Sequence, residues 1–129
     1  MKTLNRAMLI GHLAADPELR ETKSGKTVCS FALATNRFLK SDGEKQEIAD
    51  FHKIIAWGKL GEICAEHLSK GMAVYVDGRI INRSFEDKDG KRHYVTEIVL
   101  DGLNMLTSKK SGVGEQKVEV KAMPGMVAA

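Results

Sequence analysis

The chain has 129 residues, 43% of them hydrophobic, and a net charge of +3, which allows one domain with a real core and leaves too little for two. Its two cysteines, Cys29 and Cys64, stand far apart in neither metal-like nor redox spacing, which excludes a disulfide framework and reads as buried thiols in a reduced compartment. No run approaches the about 20 apolar residues that span a bilayer, and Gly11 and His12 interrupt the apolar start that would otherwise mimic a signal peptide, so no membrane partner and a cytoplasmic location are expected.

The segment Leu4 to Leu13 alternates loosely, with Ala7, Leu9 and Leu13 on one face and Met8 and Ile10 on the other, and predicts a first strand buried on both sides. Gly11 in its interior suggests a bend, and Asp16-Pro17 ends it. The loop from Glu18 to Gly25 then closes on a polar turn, Lys23-Ser24-Gly25-Lys26, whose lysines read as solvated. A second strand is predicted from about Thr27 to Asn36, with Cys29, Phe31 and Leu33 on one face and the smaller Val28, Ser30, Ala32 and Ala34 on the other. Arg37, Phe38 and Leu39 follow where this strand enters a polar hairpin, Lys40 to Glu47. Phe38 beside Arg37 is either a stacking site or a prop for the hairpin.

Asp50 to Leu60 holds the only tryptophan and predicts the third strand. Alternation puts Phe51, Lys53, Ile55 and Trp57 on one face and His52, Ile54 and Ala56 on the other. Two flat rings with a cation between them suit a single strand of nucleic acid, rings against bases and ammonium against phosphate. On its own the same stretch also reads as a half-buried strand with its aromatics in the core, since large aromatics are usually well buried.

After Gly58 the period changes: Leu60, Ile63, Cys64 and Leu68 fall at helical spacing, and Gly71 is placed as a stop. A fourth strand, Met72 to Phe85, carries Gly78 where a bend is expected. If alternation survives that bend, Val74, Val76 and Ile80 face the core and Tyr75, Arg79, Arg83 and Phe85 share the other face. The turn Glu86 to Lys91 makes a second polar hairpin, and a fifth strand runs from about Arg92 to Leu100. From Thr107 the composition shifts to Lys, Ser, Gly and small apolar residues, predicting a domain over 1–106 and a flexible tail over 107–129. The domain itself is close to neutral, so an anion-binding surface has to come from segregation of its charges.

Five strands bent at internal glycines, with one short helix between strands 3 and 4 and long polar hairpins, predict an all-β fold, a five-stranded Greek-key barrel of the OB type. In that fold strands two and three and the projecting loops form the binding face, where Arg37, Phe38, Phe51, Lys53 and Trp57 fall. Catalysis is poorly supported: no carboxylate pair sits in an apolar context, four scattered histidines supply no metal spacing, and no phosphate loop or nucleophile motif is present. The expectation is a binding protein, not an enzyme, with no cofactor and no metal.

Several runs resemble one family, the bacterial single-stranded DNA-binding proteins. They are Leu9-Ile10-Gly11, Asp16-Pro17-Glu18-Leu19-Arg20, Leu33-Ala34-Thr35-Asn36, Phe51-His52-Lys53-Ile54-Ile55, Trp57-Gly58-Lys59-Leu60, Lys70-Gly71 with Val74-Tyr75-Val76, and Tyr94 with Thr96-Glu97. Their order and spacing cover nearly all of residues 4–106. The resemblance implies base-stacking aromatics at Phe51, Trp57 and Phe85 and phosphate contacts at Lys53, Lys59, Lys70 and Arg83. It also implies a homotetramer with the first strand and its neighbours at subunit contacts.

Three departures stand out. The family places a further aromatic where this chain has Leu39, with Phe38 one residue early, and a one-residue shift reverses facing in a strand. Ile81 takes a place where some relatives carry arginine. The chain ends Met-Pro-Gly-Met-Val-Ala-Ala, without the acidic, aromatic-bearing tip that recruits replication and repair enzymes in many relatives, and recruitment of such proteins is left open. The expected function is sequence-independent coating of single-stranded DNA during replication, recombination and repair. The alternative is an OB-fold assembly subunit, primosome-like, whose aromatic face mainly binds a protein partner.

Overall fold

The computed structural model describes residues 1–107. It contains β1 (Ala7–Leu13), β2 (Glu18–Glu21), β3 (Thr27–Ser41), β4 (Glu44–Trp57), α1 (Gly58–His67), β5 (Ala73–Glu86) and β6 (Arg92–Met105). The strands run in the order β1-β5-β6-β4-β3-β2, and pairing of β1 with β3 closes five of them into a barrel. All pairings are antiparallel except β4 with β6. The predicted strands two to five are β3, β4, β5 and β6, and α1 lies between the predicted third and fourth. Expectation and structure agree on the OB-type architecture.

Four local expectations change. Glu18–Glu21, read as loop, is a strand that pairs with β3 from Glu18↔Ser30 to Glu21↔Thr27. It continues along the edge of β3 that β1 leaves after Leu13↔Leu33, so Asp16-Pro17 interrupts one line of pairing. The second strand extends past Asn36 to Ser41, because the hairpin turns on only two residues, Asp42 and Gly43, with φ of 52° and 80°. That double positive φ fits a tight primed turn, whose twist matches the flanking strands. The helix stops at His67, before Gly71, with Leu68 already extended. The fifth strand continues past Leu100 to Met105.

The core is the barrel interior with one face of α1. Leu33, Ile54, Val74, Val76, Cys29 and Cys64 are its most fully enclosed side chains. Strand β1 is buried on one side only: Met8 and Ile10 are exposed, correcting the two-sided expectation. Ile80 is corrected as well. It shares the core face with Ile98 and Ile54 by register, yet it is 39% exposed, because β1 stops pairing with β5 at Ala7↔Gly78. Beyond that point the Asn5 side chain satisfies the strand edge, donating to the Ile80 carbonyl at 2.7 Å and accepting its N–H at 2.9 Å.

The predicted bend at Gly78 coincides with the register shift between β5 and β6 at Asp77/Gly78. A Cβ there would run into the Val99 carbonyl, and one at Gly11 into the Ala34 carbonyl, so both glycines permit close approach of neighbouring strands. At the end of the barrel the Leu106 N–H reaches the Ala73 carbonyl at 2.9 Å and Thr107 Oγ1 accepts the Ala73 N–H at 2.9 Å. The expected tail, apart from Thr107, lies outside the described residues.

Candidate nucleic-acid interface

Two long ribbons, β3–β4 and β5–β6, project from the barrel and are joined where Lys53↔Glu97, Ile54↔Ile98 and Ile55↔Val99 pair in parallel. This register decides which side chains share the outer face. On β3 the outward positions are the small residues Ser30, Ala32 and Ala34, opposite Ile55, Lys53 and Phe51. The small Ala34 and Ala32 leave Phe51 and Lys53 standing clear of the sheet. Phe51 is 66% exposed, Trp57 and Phe85 are about half exposed, and none of the three joins the core.

Ile81 lies opposite Glu97, Arg83 opposite Val95 and Phe85 opposite His93, so β5 contributes its odd-numbered side chains to the same face as Lys53. Between the ribbons lies a cleft of about 410 Å³ lined by Lys53, Ile55, Trp57, Ile81, Arg83 and Glu97, with Arg20 and Lys23 along one side. Ile55, on the same face by alternation, lines this cleft while remaining buried.

The cations are organised by a carboxylate. Glu97 accepts two hydrogen bonds from Arg83, Nε to Oε1 at 2.8 Å and Nη2 to Oε2 at 2.9 Å, and its Oε2 lies 3.2 Å from Lys53 Nζ. The Arg83 hydrogen bonds hold the Glu97 carboxyl below the usual carboxylate range against the opposing effect of burial, and Lys53 assists. The same bonds push the Arg83 guanidinium further up.

Phe51, Lys53, Trp57, Arg83 and Phe85 therefore share one outward face, on which Lys53, Trp57 and Arg83 line the cleft and Phe51 and Phe85 do not. Phe38 joins the outward side further along the β3–β4 ribbon: pairing is unbroken from Val28↔Trp57 to Ser41↔Glu44, so Phe38 shares a side with Ala34 and Phe51. Lys45 Nζ lies 5.9 Å from its ring centroid. Arg37 is placed on the reverse side, where its Nε donates to Asp50 Oδ2 at 2.7 Å. Lys59, at the start of α1, and Lys70, after its end, are exposed but do not line the cleft.

Arg20, Lys23, Ile81 and Glu97 line the cleft without having been singled out as contacts. Arg20 and Lys23 could not be placed before β2 was known to pair with β3, although Arg20 stood in one of the runs that carry the family resemblance. Glu97 had two signals, a carboxylate amid the apolar alternation of the fifth strand and its place in the run Thr96-Glu97. Among the described residues no group of three His, Cys, Asp or Glu could hold a metal ion, and no helix is long and apolar enough to cross a membrane.

Known proteins resemble this chain over most of its length. A Chlorobaculum tepidum protein named single-stranded DNA-binding protein 1 is 51% identical over 113 residues, covering 86% of this chain and 70% of its own length. A Staphylococcus aureus single-stranded DNA-binding protein is 47% identical over 114 residues, covering 88% of this chain and 72% of its own. Among solved structures, a chain from a Plasmodium falciparum SSB complex with ssDNA superposes with a TM-score of 0.75 at 31% identity, covering 82% of this chain and 97% of that one. The model of the single-strand binding protein family matches residues 4–106, and the chain belongs to that family.

Proposed function

We propose that this protein binds and coats single-stranded DNA without sequence preference, by association and not by catalysis, in the service of replication, recombination and repair. The observation that carries the reading is the exposure of Phe51, Trp57 and Phe85 around Lys53 and Arg83 on one face of an OB-type barrel. Bases stack on the three rings, and on Phe38 where the strand follows the β3–β4 ribbon, because every base offers a π face. Phosphates lie against Lys53 and Arg83, with Lys59 and Lys70 extending the track around α1. Arg37, bonded to Asp50 on the reverse side, stands off this path.

The binding unit is residues 1–106, with 107–129 as a tail, and it works in the cytoplasm on the nucleoid. The exposed Met8 and Ile10 of β1 form an apolar strip that favours self-association, and the assembly we propose is a homotetramer.

Titration with oligo-dT tests the reading directly, since Trp57 is the only indole. Quenching that weakens as salt rises is expected, because bound phosphates release counterions. An unchanged spectrum at micromolar protein in low salt would overturn the reading.

A further inference from the structure

Glu97 is the one buried charged side chain among the described residues, 3% exposed, and it stands on the face that offers cations to a polyanion. By Coulomb repulsion alone a carboxylate there opposes phosphate binding. Its geometry does something else. The two-pronged bond from Arg83 fixes the guanidinium plane, and the contact with Lys53 Nζ tethers the second cation to the same carboxylate. The arginine keeps its Nη1 and the lysine further N–H donors for another anion. Both cationic side chains are about half exposed while the carboxylate is enclosed, so the cations reach the cleft and Glu97 does not.

We propose that Glu97 is a positioning residue, which holds Lys53 and Arg83 ready for the phosphates of a single strand without touching the strand itself. The inference rests on the reading of this face as a DNA-binding surface. Long side chains that must be ordered during binding cost affinity, and a pair ordered beforehand costs less. Repulsion from the carboxylate acts the other way, but the phosphates it acts on lie in solvent, so it weakens as the Debye length falls to about 3 Å at 1 M salt. Positioning is not screened. Salt therefore separates the two effects.

Oligo-dT titrations followed by Trp57 fluorescence, from about 0.1 to about 1 M salt, test this with Glu97→Gln and Glu97→Asp. Glu97→Gln removes the charge and loosens both cations, so it should bind about tenfold more weakly than the native chain at high salt, from the ordering cost of two side chains. At low salt its affinity should approach the native one. Its plot of log affinity against log salt should steepen by about 0.7, because one more cation is left for the phosphates to neutralise. Glu97→Asp keeps the charge but withdraws it from its partners, and should bind more weakly at every salt concentration with the native slope.

A Glu97→Gln chain that binds as tightly as the native one at high salt, or more tightly, would overturn the proposal. If that variant fails to fold by circular dichroism, Glu97→Asp decides alone, and native affinity there overturns it. Loss of the fold in both variants would make Glu97 a structural residue and overturn it too. No quenching with the native chain would overturn the binding reading together with this inference, whereas native binding with unimpaired variants overturns the inference alone.

Discussion

The imidazole of His93 stacks on the ring of Phe85, with centroids 5.3 Å apart and planes 24° from parallel. His93 Nε2 in turn lies 2.6 Å from Asp87 Oδ2, at the turn of the same hairpin, and this hydrogen bond is the main reason the Asp87 carboxyl sits below its usual range. Phe85 is thus backed on one side and open on the other. Phe85→Ala should lower oligo-dT affinity by about 1 to 3 kcal/mol, the contribution of one stacked base. Because the ring is about half exposed, thermal melting should shift little. Unchanged affinity in the fluorescence titration would remove Phe85 from the binding path.

Phe38 and Leu39 are adjacent, both exposed, and on opposite sides of the β3–β4 ribbon. Only Phe38 shares a side with Phe51. With oligonucleotides long enough to follow the ribbon, Phe38→Ala should weaken binding by about 1 kcal/mol or more, while Leu39→Ala leaves it unchanged. The reverse order of effects would show that the strand runs along the other side.

Gly78→Ala should be one of the most damaging single-methyl changes in the chain. The added Cβ meets the Val99 backbone, which is held by its pairing with Ile55 and Arg79 and cannot swing aside as a side chain could. Overpacking of this kind costs about 1 to 3 kcal/mol, and a rigid backbone partner places it at the upper end. A fall in the denaturant midpoint at unchanged m would confirm it.

The pH dependence of stability should carry the signature of Glu97. Its carboxyl is depressed in the folded chain, chiefly by Arg83, so its contribution is fully present above the unfolded value of about 4.3 and is lost as pH falls through the lower folded value. Glu97→Gln should therefore be less stable than the native chain at neutral pH, with the gap closing below about pH 4. Equal melting temperatures at pH 7 would contradict the pairing seen here.

Cys29 and Cys64 are fully buried beside the barrel interior, and burial pushes the Cys64 thiol up to about 12. Since the thiolate is the reactive form, labelling by a thiol reagent at neutral pH should follow the rate of unfolding. Rapid stoichiometric labelling of the native protein would show that α1 opens locally.

Strand alternation is a local property with a period of two residues, which is why Phe51, Lys53 and Trp57 could be placed together and opposite Ile54 and Ala56 from the sequence alone. The helix after Trp57 was visible for the same reason, through a different period. Glu18–Glu21 was not visible: four residues, all exposed, form a strand only because β3 presents an open edge there. The side taken by Phe38 also depended on something non-local, the unbroken register of β3 with β4 from the barrel to the turn.

Ile80 carried the right facing and the wrong burial, because exposure at that position is set by where β1 stops. The sequence by itself determined the main strands of the barrel, the two faces of the stretch from Phe51 to Trp57 and the aromatic and basic residues available for binding, since hydrophobic periodicity and turn chemistry act over neighbouring residues. Only the tertiary structure decided that Glu97 sits beneath Lys53 and Arg83 and that Arg37 turns away to Asp50. Those pairings join residues 44, 14 and 13 positions apart, and such distances are bridged by strand register, which no local pattern encodes.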